Sequence, residues 1–166
     1  VGIPRLLTVI RAVESIDWLH HGAVPSANWS VQFTAPASGK VEIEFNCHLA
    51  SGGSGNYFIY LGLSTSSTYN SVSGLHQHQV AEPDEDDNLN IINKWYLTGL
   101  TAGTSYTYYI GTFSNANTAG PNNSNTNTSQ YWRWGSSTST DPAGTPSSHP
   151  PLIIKVTSLP NTIGGD

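Results

Sequence analysis

His76 and His78 stand two residues apart in HQHQVAEPDEDDNLN, and Glu82, Asp84, Glu85, Asp86 and Asp87 follow at once. Alternate residues of an extended chain share a face, so the two imidazoles could chelate zinc, nickel or copper if a third ligand joined them. The carboxylates are the hard oxygen donors that calcium prefers. However, adjacent carboxylates repel, and an exposed loop is the least costly place for them. The turn glycine and the spaced final acid of an EF-hand loop are also missing. The expected order is therefore a solvated acidic loop first, an irregular calcium site on Asp84, Asp86 and Asp87 second, and a zinc site on His76 and His78 third. No other cofactor is expected.

Three further groups could do chemistry. Glu42 and Glu44 fall on one face of an alternating segment, where a carboxylate pair could serve glycoside hydrolysis, although the outer face of an amphipathic strand explains them more simply. Trp132 and Trp134 share one face of QYWRWG, with Tyr131 and Arg133 on the other. Exposed Trp and Tyr faces stack on sugar rings, but large aromatics more often fill a core or a subunit interface, and that reading ranks ahead of a glycan platform. Cys47 is the only cysteine, which excludes an internal disulfide and a cysteine zinc site and leaves a small core residue. No nucleophile elbow, zincin pair, P-loop or dinucleotide fingerprint is present, so no enzyme is expected. Sequons at Asn28, Asn122 and Asn127 matter only in a eukaryotic secretory pathway.

The composition narrows the classes further. Charged residues make up 10% of the 166, against about 25% in an average globular protein. Hydroxyls and amides must therefore carry the polar surface, a style common in extracellular and virion β-proteins. Five of the eleven acids lie between Glu82 and Asp87, and the remaining six balance the six bases. The net charge thus belongs to one stretch, and the neutral body has no basic patch for nucleic acid. No run of about 18 apolar residues and no basic region before an apolar one appears, so neither membrane insertion nor secretion targeting is expected.

Period-two alternation dominates. KVEIEFNCHLA puts Val41, Ile43, Phe45, Cys47 and Leu49 on one face and Glu42, Glu44, Asn46 and His48 on the other. RLLTVIRAV, NWSVQF, NYFIYLGLS, NIINKWYL, TSYTYYIGTF, QYWRWG and PLIIKVTSL read the same way. About eight antiparallel strands with turn signals and almost no helix predict an all-β sandwich or jelly roll, a single domain over residues 1–166. Its N-terminal strand or arm covers about 1–22, where ESIDWLHHG could hold a helical turn. Polar loops are expected at about 114–129 and 136–151. The apolar terminal segments, with Leu6, Leu7, Val9, Ile10, Leu152, Ile153 and Ile154, would leave sheet edges open to uncontrolled pairing. A closed symmetric assembly would bury them.

WSVQFTAPASGKVEIEF, followed by YLGLSTSSTYNS and WYLTGLTAGTSYTYYIG, resembles the β-sandwich or jelly-roll domains of tailed-bacteriophage virion proteins. There an F-x-A-P-x-S-G-x-V strand-turn-strand recurs in head-decoration, fibre and tail modules. The resemblance implies a structural or adhesive role without catalysis, usually as a symmetric homotrimer on the virion surface. Capsid decoration or cement comes first and a tail or fibre module second. The partners would be capsid or tail proteins, with a host-surface glycan if the aromatic strand is exposed. The alternative is a carbohydrate- or receptor-binding module using Tyr131, Trp132 and Trp134. LTGLTAGTSYTYYI also resembles the tyrosine corner of fibronectin type III domains, with Leu100 and Tyr106 in its roles, but this chain is much longer than their roughly 100-residue sandwich.

Overall fold

The alternating segments become strands, and their apolar faces meet between two antiparallel sheets. The structure is a computed structural model that describes residues 3–12, 16–20, 29–51, 58–65, 77–82, 88–114, 130–134, 139–140, 146–147 and 149–161. The strands are β1 (Arg5–Ala12), β2 (Ile16–His20), β3 (Ser30–Thr34), β4 (Val41–Ser51), β5 (Ile59–Ser64) and β6 (His78–Ala81). They continue as β7 (Asn88–Leu97), β8 (Ser105–Ser114), β9 (Gln130–Trp134), β10 (Ser139–Thr140), β11 (Pro146–Ser147) and β12 (Leu152–Ser158). The smaller sheet runs β3-β8-β5-β6. The larger runs β1-β12-β4-β9-β2, with β7 paired along the other edge of β4.

β4 is the spine of the larger sheet because it is long enough to take two partners on one edge. Its first half pairs β12, from Val41↔Ser158 to Asn46↔Ile153, and its end pairs β9, from His48↔Arg133 to Ser51↔Gln130. Cys47 sits at the fork. Its thiol donates to the Arg133 carbonyl at 3.4 Å, and burial pushes its pKa well above the usual thiol range. It is thus an inert core residue, as its place in the alternation predicts.

The inward faces supply the core. Val41, Ile43, Phe45, Cys47 and Leu49 of β4 meet Ile59, Leu61 and Leu63 of β5, Ile110 of β8 and Val31 of β3, all buried. Each fully buried large side chain of this kind contributes about 1.5–3 kcal/mol of transfer free energy. A polar contact reaches across the core: Trp132 Nε1 donates to Thr112 Oγ1 at 2.9 Å, which gives each group a partner away from water.

The A-P-x-S-G-x-V turn has a physical basis at Gly39. Its N–H donates to the Pro36 carbonyl at 2.9 Å, closing a four-residue turn, and its φ is +63°. A Cβ there would lie 2.5 Å from the Leu100 carbonyl oxygen, while the Leu100 N–H donates to the Gly39 carbonyl at 3.0 Å. Only glycine lets the two turns dock backbone to backbone. The facing turn carries the tyrosine corner that its sequence resembles: the Thr101 N–H donates to Tyr106 Oη at 3.0 Å.

Two local expectations change. ESIDWLHHG holds β2 instead of a helical turn; as a strand it pairs with β9, meeting partners at Trp134, Trp132 and Tyr131 that local sequence does not reveal. The 136–151 loop contains the two-stranded β10-β11 ribbon. With β2 and β6 added to the eight expected segments, ten strands form the two main sheets among the described residues.

Candidate functional site

Among the sequence candidates, His78 is the one whose surroundings are most complete. It is half-buried on β6, its Nδ1 donates to Asn93 Oδ1 of β7 at 3.0 Å, and its ring stacks on Trp95 at 5.9 Å. β6 and β7 belong to different sheets, so His78 closes the seam between them. A ring nitrogen committed to Asn93 and a face committed to Trp95 are structural uses. His76, Asp84, Glu85, Asp86 and Asp87 lie outside the described residues. Within the described set, no group of three or more His, Cys, Asp or Glu could hold a metal ion.

Glu42 and Glu44 do point outward together, but each meets a cation. Lys94 Nζ lies 3.0 Å from Glu42 and 3.1 Å from Glu44, and Lys155 Nζ lies 3.0 Å from Glu44. Burial alone would raise the Glu44 pKa, but the hydrogen bonds and charges of Lys155 and Lys94 outweigh it and hold the carboxyl below its ordinary value. A general acid for glycoside hydrolysis needs the opposite shift. The pair is one half of a neutral ion ladder across β12, β4 and β7.

The aromatic pair sits inside the protein. Trp132 is 0% exposed and Trp134 6%. Trp29 packs edge-on against both, at 5.6 and 6.0 Å, and Phe45 against Trp29 and Trp132 at 4.9 and 5.5 Å. This corrects the glycan-platform alternative for Trp132 and Trp134, which ranked behind the core or interface reading: stacking on a sugar needs an exposed ring face, and both side chains are buried. The side chain of Tyr131 lies outside the described residues. Arg133, on the opposite face of β9, is also buried, at 7% exposure.

The terminal strands pair with each other, which divides the assembly candidates. β12 lies between β1 and β4, so its backbone is paired on both sides, and Leu152 and Ile154 are buried in the core. This corrects their assignment as contact residues; of the three on β12, only Ile153 faces outward, half-buried. β1 is the edge strand. Leu7 packs on the core, whereas Leu6 and Val9 are 58% and 47% exposed and Ile3, just before the strand, is exposed too. The side chain of Ile10 lies outside the described residues.

Strand register assembles an outer face that no local pattern reveals. Leu6, Thr157, Glu42 and Tyr96 form one row across β1, β12, β4 and β7, and Val9, Lys155, Glu44 and Lys94 form the next. Ile153, Asn46 and Ile92 follow on β12, β4 and β7. The face therefore has a charged centre between two apolar margins, with exposed Ile92 and Tyr96 on β7 opposite Leu6 and Val9 on β1. Alternation alone places Lys94 and Lys155 outside; matching them to Glu42 and Glu44 requires the register.

Comparison of the chain with protein-family models, with curated proteins and with solved structures found no match.

Proposed function

We propose that the chain is a structural module of a tailed-phage virion, of the head-decoration or cement type, that acts by assembly and not by catalysis. The observation that carries the reading is the β1 edge. Leu6 and Val9 are exposed on an apolar strand that ends the larger sheet, with Ile3 beside it. Such an edge invites pairing with another chain, and natural proteins usually blunt or cover it. A symmetric oligomer, a homotrimer in this reading, covers the edge in each copy and presents the polar loops on the particle surface. The sandwich fold agrees with the head-decoration resemblance without being specific to it.

Sedimentation of the purified chain, alone and with particles, tests the reading. The expected result is a stable oligomer that binds particles, and a monomeric, correctly folded product when Leu6→Lys and Val9→Lys are combined. Both side chains are exposed within one chain, so the double variant should retain its far-ultraviolet circular dichroism. A wild-type chain that stays monomeric at high concentration and does not bind particles would overturn the proposal.

A further inference from the structure

The outer face gathers titratable groups at one further place, where β4, β7 and β9 meet the lead-in to β12. β4 supplies His48, β9 supplies Arg133 directly across from it, β7 supplies Asn88, and the lead-in supplies His149. The two imidazoles stack with centroids 4.7 Å apart and planes 25° from parallel. His48 Nε2 donates to Asn88 Oδ1 at 3.2 Å, so a second proton on that ring must go to Nδ1.

Several forces oppose that second proton. For His48, burial disfavours the charged form most; the Asn88 hydrogen bond works the other way, and the Arg133 guanidinium adds to the burial. For His149 the order is burial, then His48, then Arg133. Both rings are held below the ordinary imidazole value, so the neutral stack is the resting state near neutral pH. The flanking outward positions on β4, β7 and β12 are Asn46, Ala50, Asn90 and Ile153, none of them ionisable; by register Tyr131 of β9 lies opposite Ala50 and Arg11 of β1 opposite Ile153. Beyond β9, β2 carries Asp17 and His20 in its sequence, and Asn88 directly follows the acidic stretch that ends at Asp87.

We propose that the His48–His149 stack is a proton-operated latch that holds residues 149–151 against the outer face of the larger sheet while both rings are neutral. On acidification, two imidazolium charges at stacking distance beside a guanidinium repel one another. His149 is the member that can leave, because His48 lies within β4 and is paired on both edges, whereas His149 lies on the segment that precedes β12, outside a strand. The latch opens by lifting that lead-in, and β12, paired on both sides, stays in place. The inference is independent of the virion reading.

Hydrogen–deuterium exchange of the full chain, corrected for intrinsic rates and compared between about pH 7.5 and about pH 5, the window in which histidine changes charge, tests the latch. Read residue by residue by NMR, the His149 amide, the single backbone N–H within 149–151 because residues 150 and 151 are prolines, should exchange several-fold faster at the acidic end, while β4 and β12 remain protected. His149→Phe keeps an aromatic ring on His48 without a titrating group and should abolish the step. Site-assigned proton titrations of the two rings in the wild-type chain should both fall below 6.5, the ordinary imidazole value. The proposal is overturned by uptake that does not change with pH, by a step that persists in His149→Phe, by β4 and β12 loosening in concert with the lead-in, or by either ring titrating at or above that value.

Discussion

The two faces of β4 are built from neighbouring residues by different physics. Inward, Val41, Ile43, Phe45, Cys47 and Leu49 are all fully buried, and their contribution follows from the apolar area they remove from water. Outward, Glu42, Glu44, Asn46 and His48 depend on groups that other strands happen to bring alongside: Lys94 and Asn88 from β7, Lys155 from β12, Arg133 from β9. The inner face needs only to be apolar and of fitting volume. The outer face needs particular partners at particular register positions, so it can be specific while adding little to stability.

The largest expected effect lies inside. Phe45→Ala removes a ring that packs against Trp29 and Trp132 and should cost about 3–5 kcal/mol in denaturant unfolding. A loss below about 1 kcal/mol would mean that the aromatic cluster can collapse around the vacancy, and the contrast between the faces would weaken. Next comes Thr112→Val. The shape is nearly kept, but the Trp132 indole N–H, buried and aimed at Thr112 Oγ1, loses its acceptor. The expected cost is about 1–3 kcal/mol, the penalty for an orphaned buried donor. A neutral result would show that the indole finds another acceptor.

The same division explains what the sequence made legible. Alternation depends on nearest neighbours, so KVEIEFNCHLA announced both its strand and its buried face, and Gly39 and Tyr106 announced their turns through local backbone chemistry. Strand pairing depends on register between distant segments, which alternation does not encode. His48 was readable as an outward residue, but nothing near it in the chain points to His149, about a hundred positions away. The aromatic pair shows the limit from the other direction. QYWRW gives Trp132 and Trp134 a common face, but whether that face meets solvent or the other sheet depends on β2, β4 and β9 lying side by side over Trp29 and Thr112. β2 itself carries little alternation and owes its strand form to β9.

Acidity sharpens the comparison, because the groups of β4 with shifted protonation in the acid range, Glu44 and His48, stand on its outer face. Unfolded, His48 and His149 take a proton around 6.5; folded, they take it at lower pH. Between the two values the unfolded chain binds more protons, so stability is full above the ordinary imidazole pKa and falls as pH drops through the folded values. Glu44 repeats the pattern lower down: its folded pKa lies below the ordinary 4.5, so its contribution is present above that value and fades as pH falls through the folded one. Unfolding measured against pH should show the histidine part of the decline in the wild type and much less of it in a chain carrying both His48→Gln and His149→Phe. Equal declines in the two chains would assign the titration to other groups.

The smallest effect belongs to the ion ladder. Glu44→Gln keeps the size of the side chain but removes the charge that Lys94 and Lys155 share, at 3.1 and 3.0 Å. The two lysine side chains are 41% and 36% exposed, so water and salt already screen much of the attraction. Exposed pairs of this kind are worth roughly 0.2–1 kcal/mol each, and the loss should shrink further as ionic strength rises. The substitution also leaves two lysines on one face with Glu42 as their remaining anion, and Glu42 contacts Lys94. Lys155→Met should therefore relieve part of the Glu44→Gln loss, and a double-mutant cycle measures that coupling directly. A coupling above about 2 kcal/mol, or one indifferent to salt, would mean that the outer face is desolvated in solution. In that case the charged centre between Leu6, Val9, Ile92 and Tyr96 is itself covered by another surface.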